Sequence, residues 1–200
     1  MQSEVLEAVD ASGLGLRVEF VWRGDRFGHV LWLIERDRQP IALLDSTEGT
    51  AADTWPPSPP LQSLSVENLP DSRRAALLVG MAGRSHWSAS VEALQVSATI
   101  NSATIDFDIA CRTSDRTGDL RSTYRVLFDN LVEVPTADAA DCRWTIGGRG
   151  VELVIGLSTQ VEASSEHGEL KVRPVAAEGP RGPTARWRYR VRLERSGIKY

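Results

Sequence analysis

Residues 185–194 read Ala-Arg-Trp-Arg-Tyr-Arg-Val-Arg-Leu-Glu, an unbroken alternation of apolar and charged side chains. In a β-strand, successive side chains point to opposite faces of the sheet. One face of this segment therefore carries two aromatic and two aliphatic side chains, and the opposite face carries four arginines: Arg186, Arg188, Arg190 and Arg192. The pattern predicts a strand that packs its apolar face into a core and presents a row of arginines on the other face.

The same two-residue period recurs along most of the sequence, for example over residues 14–22, 87–93 and 104–112. The turn Gly147-Gly148-Arg149-Gly150 predicts a hairpin that pairs residues 142–146 with residues 151–157. Residues 75–83 are apolar and contain two glycines, which favours a strand over a helix. We therefore predict an all-β protein, an antiparallel β-sandwich or closed β-barrel of roughly ten to twelve strands, with little helix beyond a turn or two near residues 138–141.

A proline-rich segment interrupts this pattern at residues 56–60, which read Pro-Pro-Ser-Pro-Pro. Proline lacks a backbone donor and favours an extended, unpaired conformation, so residues 45–62 are predicted to form a long loop. The residues that precede the loop are too few to bury a core of their own. We expect a surface crossover within a single domain that spans residues 1–200.

Composition is ordinary for a soluble globular protein, with 42% hydrophobic residues, 25% charged residues and a net charge of −4. The first seven residues are acidic, and no apolar run approaches the roughly 18 residues of a membrane-spanning helix. These features predict a cytoplasmic protein that binds no membrane. Of the 23 basic residues 21 are arginine, which is typical of a GC-rich genome, and we expect a bacterial source. Cys111 and Cys142 lie in no metal-binding motif and the three histidines are far apart, so neither a metal nor a cofactor is predicted.

The arginine row permits two interpretations. Alternate residues of a strand lie about 6.6 Å apart, close to the phosphate spacing of an extended nucleic acid. Asp106 and Asp108 share the same two-residue period, however, and can pair with arginines on a neighbouring strand. We expect at least two of the four arginines to lie near carboxylates, and we expect no nucleic-acid partner.

The most site-like string is Gly83-Arg84-Ser85-His86-Trp87-Ser88, which follows an apolar segment at a predicted turn. It suggests a small anion or carbohydrate pocket in which Arg84 or His86 donates hydrogen bonds and Trp87 provides a stacking face. A polar turn in front of a buried tryptophan is the alternative. Ser85 and His86 should face opposite sides of a strand, so they do not make a nucleophile–base pair and no catalytic residue is assigned.

These observations favour a non-enzymatic binding or protein-interaction domain, whose partner is an unknown small ligand or another protein. The alternative is a hydrolase-type enzyme with a site around His86, or one in which His86 or His29 meets an aspartate such as Asp45 across strands. Sandwiches and barrels host both classes, so the fold alone does not choose between them. A homo-oligomer is left open.

Overall fold

A computed structural model describes residues 3–50, 52–70, 73–94, 102–113, 119–127, 131–134, 141–158, 161–175 and 184–195. In chain order the strands are β1 (Ser3–Val9), β2 (Gly15–Trp22), β3 (Phe27–Ile34), β4 (Ile41–Ser46), β5 (Leu61–Asn68), β6 (Arg74–Ala82), β7 (Ser85–Leu94), β8 (Thr104–Arg112), β9 (Ser122–Val126), β10 (Leu131–Val134), β11 (Asp141–Ile146), β12 (Val151–Leu157), β13 (Val161–Glu166), β14 (Glu169–Pro174) and β15 (Thr184–Arg195).

The strands form two antiparallel sheets that face each other. The seven-stranded sheet has the order β1-β2-β3-β4-β9-β14-β13, and the eight-stranded sheet has the order β10-β11-β12-β15-β8-β7-β6-β5. Within the described residues both sheets are open, so the protein is sandwich-like and not a closed barrel. The predicted all-β antiparallel fold is confirmed. The strands outnumber the prediction because short, mostly polar strands such as β13 carry little apolar signal.

The sequence that predicts the fold, residues 185–194, lies in β15 near the middle of the eight-stranded sheet, between β12 and β8. Its aromatic and aliphatic side chains are buried between the sheets, as the alternation predicts. The Tyr189 ring stacks on Phe107 of β8, with ring centroids 4.9 Å apart. The predicted hairpin of β11 and β12 is also confirmed, and residues 75–82 form a strand as expected.

The core between the sheets is mostly aliphatic and aromatic, and side-chain hydrogen bonds between described residues cross it. The Trp187 indole Nε1 of β15 donates to Ser122 Oγ of β9 at 3.1 Å, and the Tyr189 hydroxyl bonds the Tyr124 hydroxyl. Both bonds join the eight-stranded sheet to the seven-stranded one. The two sheets therefore dock in one lateral register, because buried polar atoms must keep their partners.

The proline-rich loop carries the chain from β4 in one sheet to β5 in the other, as the crossover prediction requires. Ser58 in this loop is buried, and its Oγ accepts a hydrogen bond of 2.9 Å from the backbone N–H of Thr123. The helical turn predicted near residues 138–141 falls mainly outside the described residues, and Asp141 begins β11. In the part of the chain that the structure describes, no helix has the length and apolarity to cross a membrane.

Candidate functional site

Strand β6 exposes three large apolar side chains on the outer face of the eight-stranded sheet. Leu77, Val79 and Met81 are 43%, 54% and 47% exposed, whereas the alternate residue Leu78 is buried in the core. Because they occupy alternate positions on one strand, the three side chains stand about 6.6 Å apart in a straight line. We call Leu77, Val79 and Met81 the apolar row.

Small side chains flank the apolar row on both sides. Val79 lies opposite Ser63 of β5 and Ser88 of β7, and Ser88 in turn lies opposite Ala110 of β8. Leu77 is flanked in the same way by Ser65 and Ser90. Because these neighbours are short, the surface beside Val79 and Met81 is sunken and forms a shallow depression of about 550 Å³, which does not extend to Leu77.

Basic and polar side chains border the depression at its Met81 end. The strand register places His86 beside Met81, and Arg112 beside His86. Arg84 lies in the turn between β6 and β7 and lines a second depression of about 270 Å³, which shares Met81 with the first. The apolar row therefore runs toward two arginines and a histidine, and Asp53 also lines the second depression.

Arg84 and Arg112 differ from the other arginines of the described chain in their pairing. Among the described residues, the arginines outside ion pairs are Arg36, Arg74, Arg84 and Arg112. Arg36 and Arg74 donate to the backbone carbonyls of Ala11 and Val5. Arg84 and Arg112 have neither an ion pair nor a hydrogen bond within the described ranges. Two unmatched guanidinium groups thus lie at one end of an exposed apolar surface.

The arginines of β15 are matched, as the sequence predicts. Arg186 pairs with Asp108, and Arg190 donates two bonds to Asp106, of 2.5 and 2.8 Å. Arg188 shares Asp106 at 3.1 Å, and Arg192 pairs with Asp141 and Glu194. The expectation that carboxylates match at least two of the four arginines is confirmed. The absence of nucleic-acid binding stays a prediction.

The three residues predicted as a ligand pocket are divided between two environments. Arg84 and His86 border the apolar row, whereas Trp87 is 2% exposed, although it lines the same depression as His86. The Trp87 indole packs against Trp55 and Trp187, with ring centroids 5.9 and 6.0 Å apart. Ser85 is buried and donates to Thr113 Oγ1, so it faces away from the exposed His86 as expected. Ligand binding by Arg84, His86 and Trp87 stays a prediction.

A second group of polar side chains lies inside the sandwich. Glu48 accepts hydrogen bonds from Ser46 Oγ and, at 2.9 Å, from Arg23 Nη1, and burial raises the pKa of its carboxyl to about 7. His29 Nε2 lies 2.9 Å from the Tyr124 hydroxyl, and burial, together with the nearby Arg23 charge, lowers the pKa of the imidazole to about 4.

The cavity beside the Glu48 and His29 side chains has a volume of about 20 Å³, which is room for roughly one water molecule. Perturbed pKa values are typical of functional sites, but a substrate needs more space than this. The Asp45 carboxylate binds Arg23 and Arg125, while the His29 ring bonds Tyr124. We therefore interpret this group as a structural network, and the hydrolase alternative stays a prediction.

Within the described ranges, no three histidine, cysteine, aspartate or glutamate side chains are arranged to hold a metal ion. Cys111 and Cys142 are free, and burial raises the pKa of the Cys111 thiol to about 11. An ionised thiol is the reactive form of cysteine, so burial of Cys111 in the core disfavours that form.

Comparison with known proteins adds no assignment: the chain matches no protein-family model, and no curated protein is significantly similar to it.

The sequence analysis did not single out the apolar row, because residues 75–83 read as a strand buried on both faces. A usable signal lay in β7, whose Ser88 and Ser90 alternate with Trp87, Ala89 and Val91. Ser88 and Ser90, which lie between His86 and Glu92 at the outward-facing positions of that strand, indicate that the middle of the outer face carries no charged side chain.

Proposed function

We propose that the protein is a non-enzymatic interaction domain, and that the apolar row of β6 is the centre of its binding surface for a protein partner. The single observation that carries this proposal is the exposure of Leu77, Val79 and Met81 in one line on one face. Isolated exposed apolar residues are common, whereas adjacent ones cost free energy in water unless a partner covers them.

The shape of the surface favours a protein partner over a small ligand. Small-molecule sites enclose most of their ligand, whereas protein interfaces are flatter, with an apolar centre and a polar rim. The apolar row stands on a sheet face, beside an open depression floored by Ser88 and Ala110. Arg84, His86 and Arg112 lie at the edge of this surface, where polar rim residues occur in interfaces.

The test uses an end-blocked, fluorescein-labelled peptide of alternating leucine and serine, whose binding is measured by fluorescence anisotropy. Val79→Asp places a charge in the middle of the apolar row, and we expect it to weaken binding at least about tenfold. Val175→Asp is the matched control, because Val175 is 47% exposed and follows β14 of the other sheet.

Thermal unfolding of both variants establishes that each is folded. Binding that is weakened by Val79→Asp and unchanged by Val175→Asp supports the proposal. Equal effects of the two substitutions, or no binding by the wild-type protein at millimolar peptide, overturn it.

A further inference from the structure

We infer that the partner presents an extended segment with apolar side chains at alternate positions and acidic side chains at the end that lies next to Met81. This inference rests on the proposed function and specifies the chemistry of the partner. Three features of the described surface carry it: the spacing of the apolar row, the small residues beside the row, and the two arginines without a described carboxylate partner at its Met81 end.

The spacing of the apolar row matches that of an extended chain. Alternate side chains of a β-strand lie about 6.6 Å apart, and the same distance separates Leu77 from Val79 and Val79 from Met81. From Leu77 to Met81 the row is about 13 Å long, which corresponds to roughly four to five residues of an extended segment. A helix places its contact residues at i, i+3 and i+4 along a shorter rise, so it fits this line less well.

The small neighbours of the row leave room for the side chains of such a segment. Ser88, Ser90 and Ala110 lie between the row and the charged side chains of β8 and β15. An extended chain laid along β7 would place one set of alternate side chains against the row. Its backbone polar groups would lie over serine hydroxyls, which both donate and accept hydrogen bonds.

The charges at the two ends of the row define the orientation of the segment. Arg84 and Arg112 lie at the Met81 end, and neither has a carboxylate partner in the described part of the chain. At the opposite end, beyond Leu77, Glu67 is exposed on β5 and Glu92 already pairs with Arg73. Acidic side chains are therefore attracted to the Met81 end, whereas Glu67 disfavours them at the Leu77 end.

The magnitude of this charge effect is modest. An exposed ion pair changes affinity by about threefold, and because the free energies of the two pairs add, two guanidinium groups together account for roughly tenfold. Salt weakens this contribution by screening, whereas the apolar contribution is insensitive to moderate salt. The two contributions can thus be measured separately.

The experiment compares three end-blocked peptides with the same leucine–serine core, which end in two glutamates, two serines or two lysines. Dissociation constants are measured at 50 and 300 mM NaCl for the wild-type protein and three variants. Arg84→Gln with Arg112→Gln removes the unmatched charges. Arg36→Gln with Arg38→Gln removes two exposed charges from the β3–β4 turn and controls for net charge. Val79→Asp tests the apolar row.

We expect the glutamate peptide to bind about tenfold more tightly than the serine peptide at 50 mM NaCl, and the lysine peptide to bind most weakly. The Arg84/Arg112 double variant should bind all three peptides with the affinity of the serine peptide, and the Arg36/Arg38 control should retain the preference. Equal binding of the three peptides by the wild-type protein, with weakening by Val79→Asp, overturns this inference alone. No effect of Val79→Asp on any peptide, or no binding at all, overturns the proposed function as well.

Discussion

At the scale of single residues, the carboxyl group of Glu48 is both buried and hydrogen-bonded. Its carboxyl pKa is raised to about 7 by burial, although Ser46 and Arg23 donate to it. In the unfolded chain the same group has its ordinary pKa of 4.5. Between pH 4.5 and 7 the unfolded state therefore loses this proton while the folded state retains it, so the group reduces stability as pH rises through that window.

His29 has the opposite effect on the pH dependence of stability, and it does so over nearly the same pH range. Its pKa falls from 6.5 to about 4 in the folded state, so stability is lost as pH falls from 6.5 toward 4. The two effects partly cancel in the wild-type protein. A comparison with Glu48→Gln isolates the carboxyl, because His29 is present in both proteins.

We predict that Glu48→Gln gains stability relative to the wild-type protein as pH rises from 4.5 to 7.5, by on the order of 2 kcal/mol. Glutamine resembles the protonated carboxyl, so the two proteins should be closest in stability near pH 4.5. Urea unfolding at several pH values measures this difference. A stability difference that stays constant with pH would contradict the interpretation of Glu48.

The inter-sheet hydroxyl bond gives a second prediction at this scale. Tyr124→Phe removes the partner of both His29 Nε2 and the Tyr189 hydroxyl, whereas Tyr189→Phe leaves the bond between His29 and Tyr124 intact. We expect losses of about 2 kcal/mol and about 1 kcal/mol respectively, measured as free energies of unfolding in urea. Equal losses, or a larger loss for Tyr189→Phe, would show that the network does not depend on Tyr124.

At the scale of elements, β6 is held close to the proline-rich loop by a glycine. A Cβ at Gly80 would overlap the Pro60 carbonyl oxygen and lie 2.9 Å from the Leu61 Cα, both of which are backbone atoms. A Cβ at Gly156 would instead meet the tip of the Arg192 side chain at 2.8 Å, and this flexible group can move. Both glycines occupy strands, so the pair forms a matched comparison.

We predict that Gly80→Ala destabilises the protein by about 2 kcal/mol or more, and that Gly156→Ala changes stability by less than about 1 kcal/mol. Differential scanning calorimetry measures the melting temperatures. Similar melting temperatures for the two variants would show that β6 and the loop do not pack as closely as described.

The arginine row of β15 gives a prediction about nucleic acid. Asp106→Asn with Asp108→Asn removes the carboxylates that match Arg186, Arg188 and Arg190. We expect this variant to bind a labelled single-stranded oligonucleotide more tightly than the wild-type protein, with a steeper dependence on salt. Glu162→Gln with Glu169→Gln, on β13 and β14, makes the same charge change on the other sheet and should have a smaller effect.

Fluorescence anisotropy at 50 and 200 mM salt makes this comparison. If the wild-type protein binds DNA or RNA tightly and the double variant Arg188→Gln with Arg190→Gln does not, the carboxylates do not neutralise the arginines of β15 as described.

The strands were predictable from sequence wherever one face is apolar and the other charged. In β15 the large difference in free energy between burying Trp187 and burying Arg188 determines which face of the strand lies in the core. The same difference let Asp106 and Asp108 be named as partners. For β6, the sequence does not predict which alternate residues face the core. Leu77 and Leu78 are equally apolar, and only pairing with β7 decides which one is buried.

The interior network was less predictable. His29, Glu48 and Tyr124 lie on β3, on the loop after β4 and on β9, far apart in sequence. Their contacts depend on the order of strands in the sheet, where β9 joins β4. No local pattern in the sequence specifies that order.

At the scale of the whole molecule, the outer face of the eight-stranded sheet is divided into two regions. Toward β15, each arginine from Arg186 to Arg192 is matched by a carboxylate. Toward β6, the surface carries the apolar row, serines and two unmatched arginines. We propose that the β6 region, where Arg84 and Arg112 have no carboxylate partner among the described residues, is the part of this face that binds a partner.

The most direct test of this claim uses the methionines. The sequence contains two, Met1 and Met81, so a protein labelled with ¹³C at the methionine methyl groups gives a simple NMR spectrum, and Met81→Leu assigns it. We predict that titration with the leucine–serine peptide that ends in two glutamates shifts the Met81 methyl signal to saturation and leaves the Met1 signal in place. A peptide that binds with no change at Met81 would contradict the account.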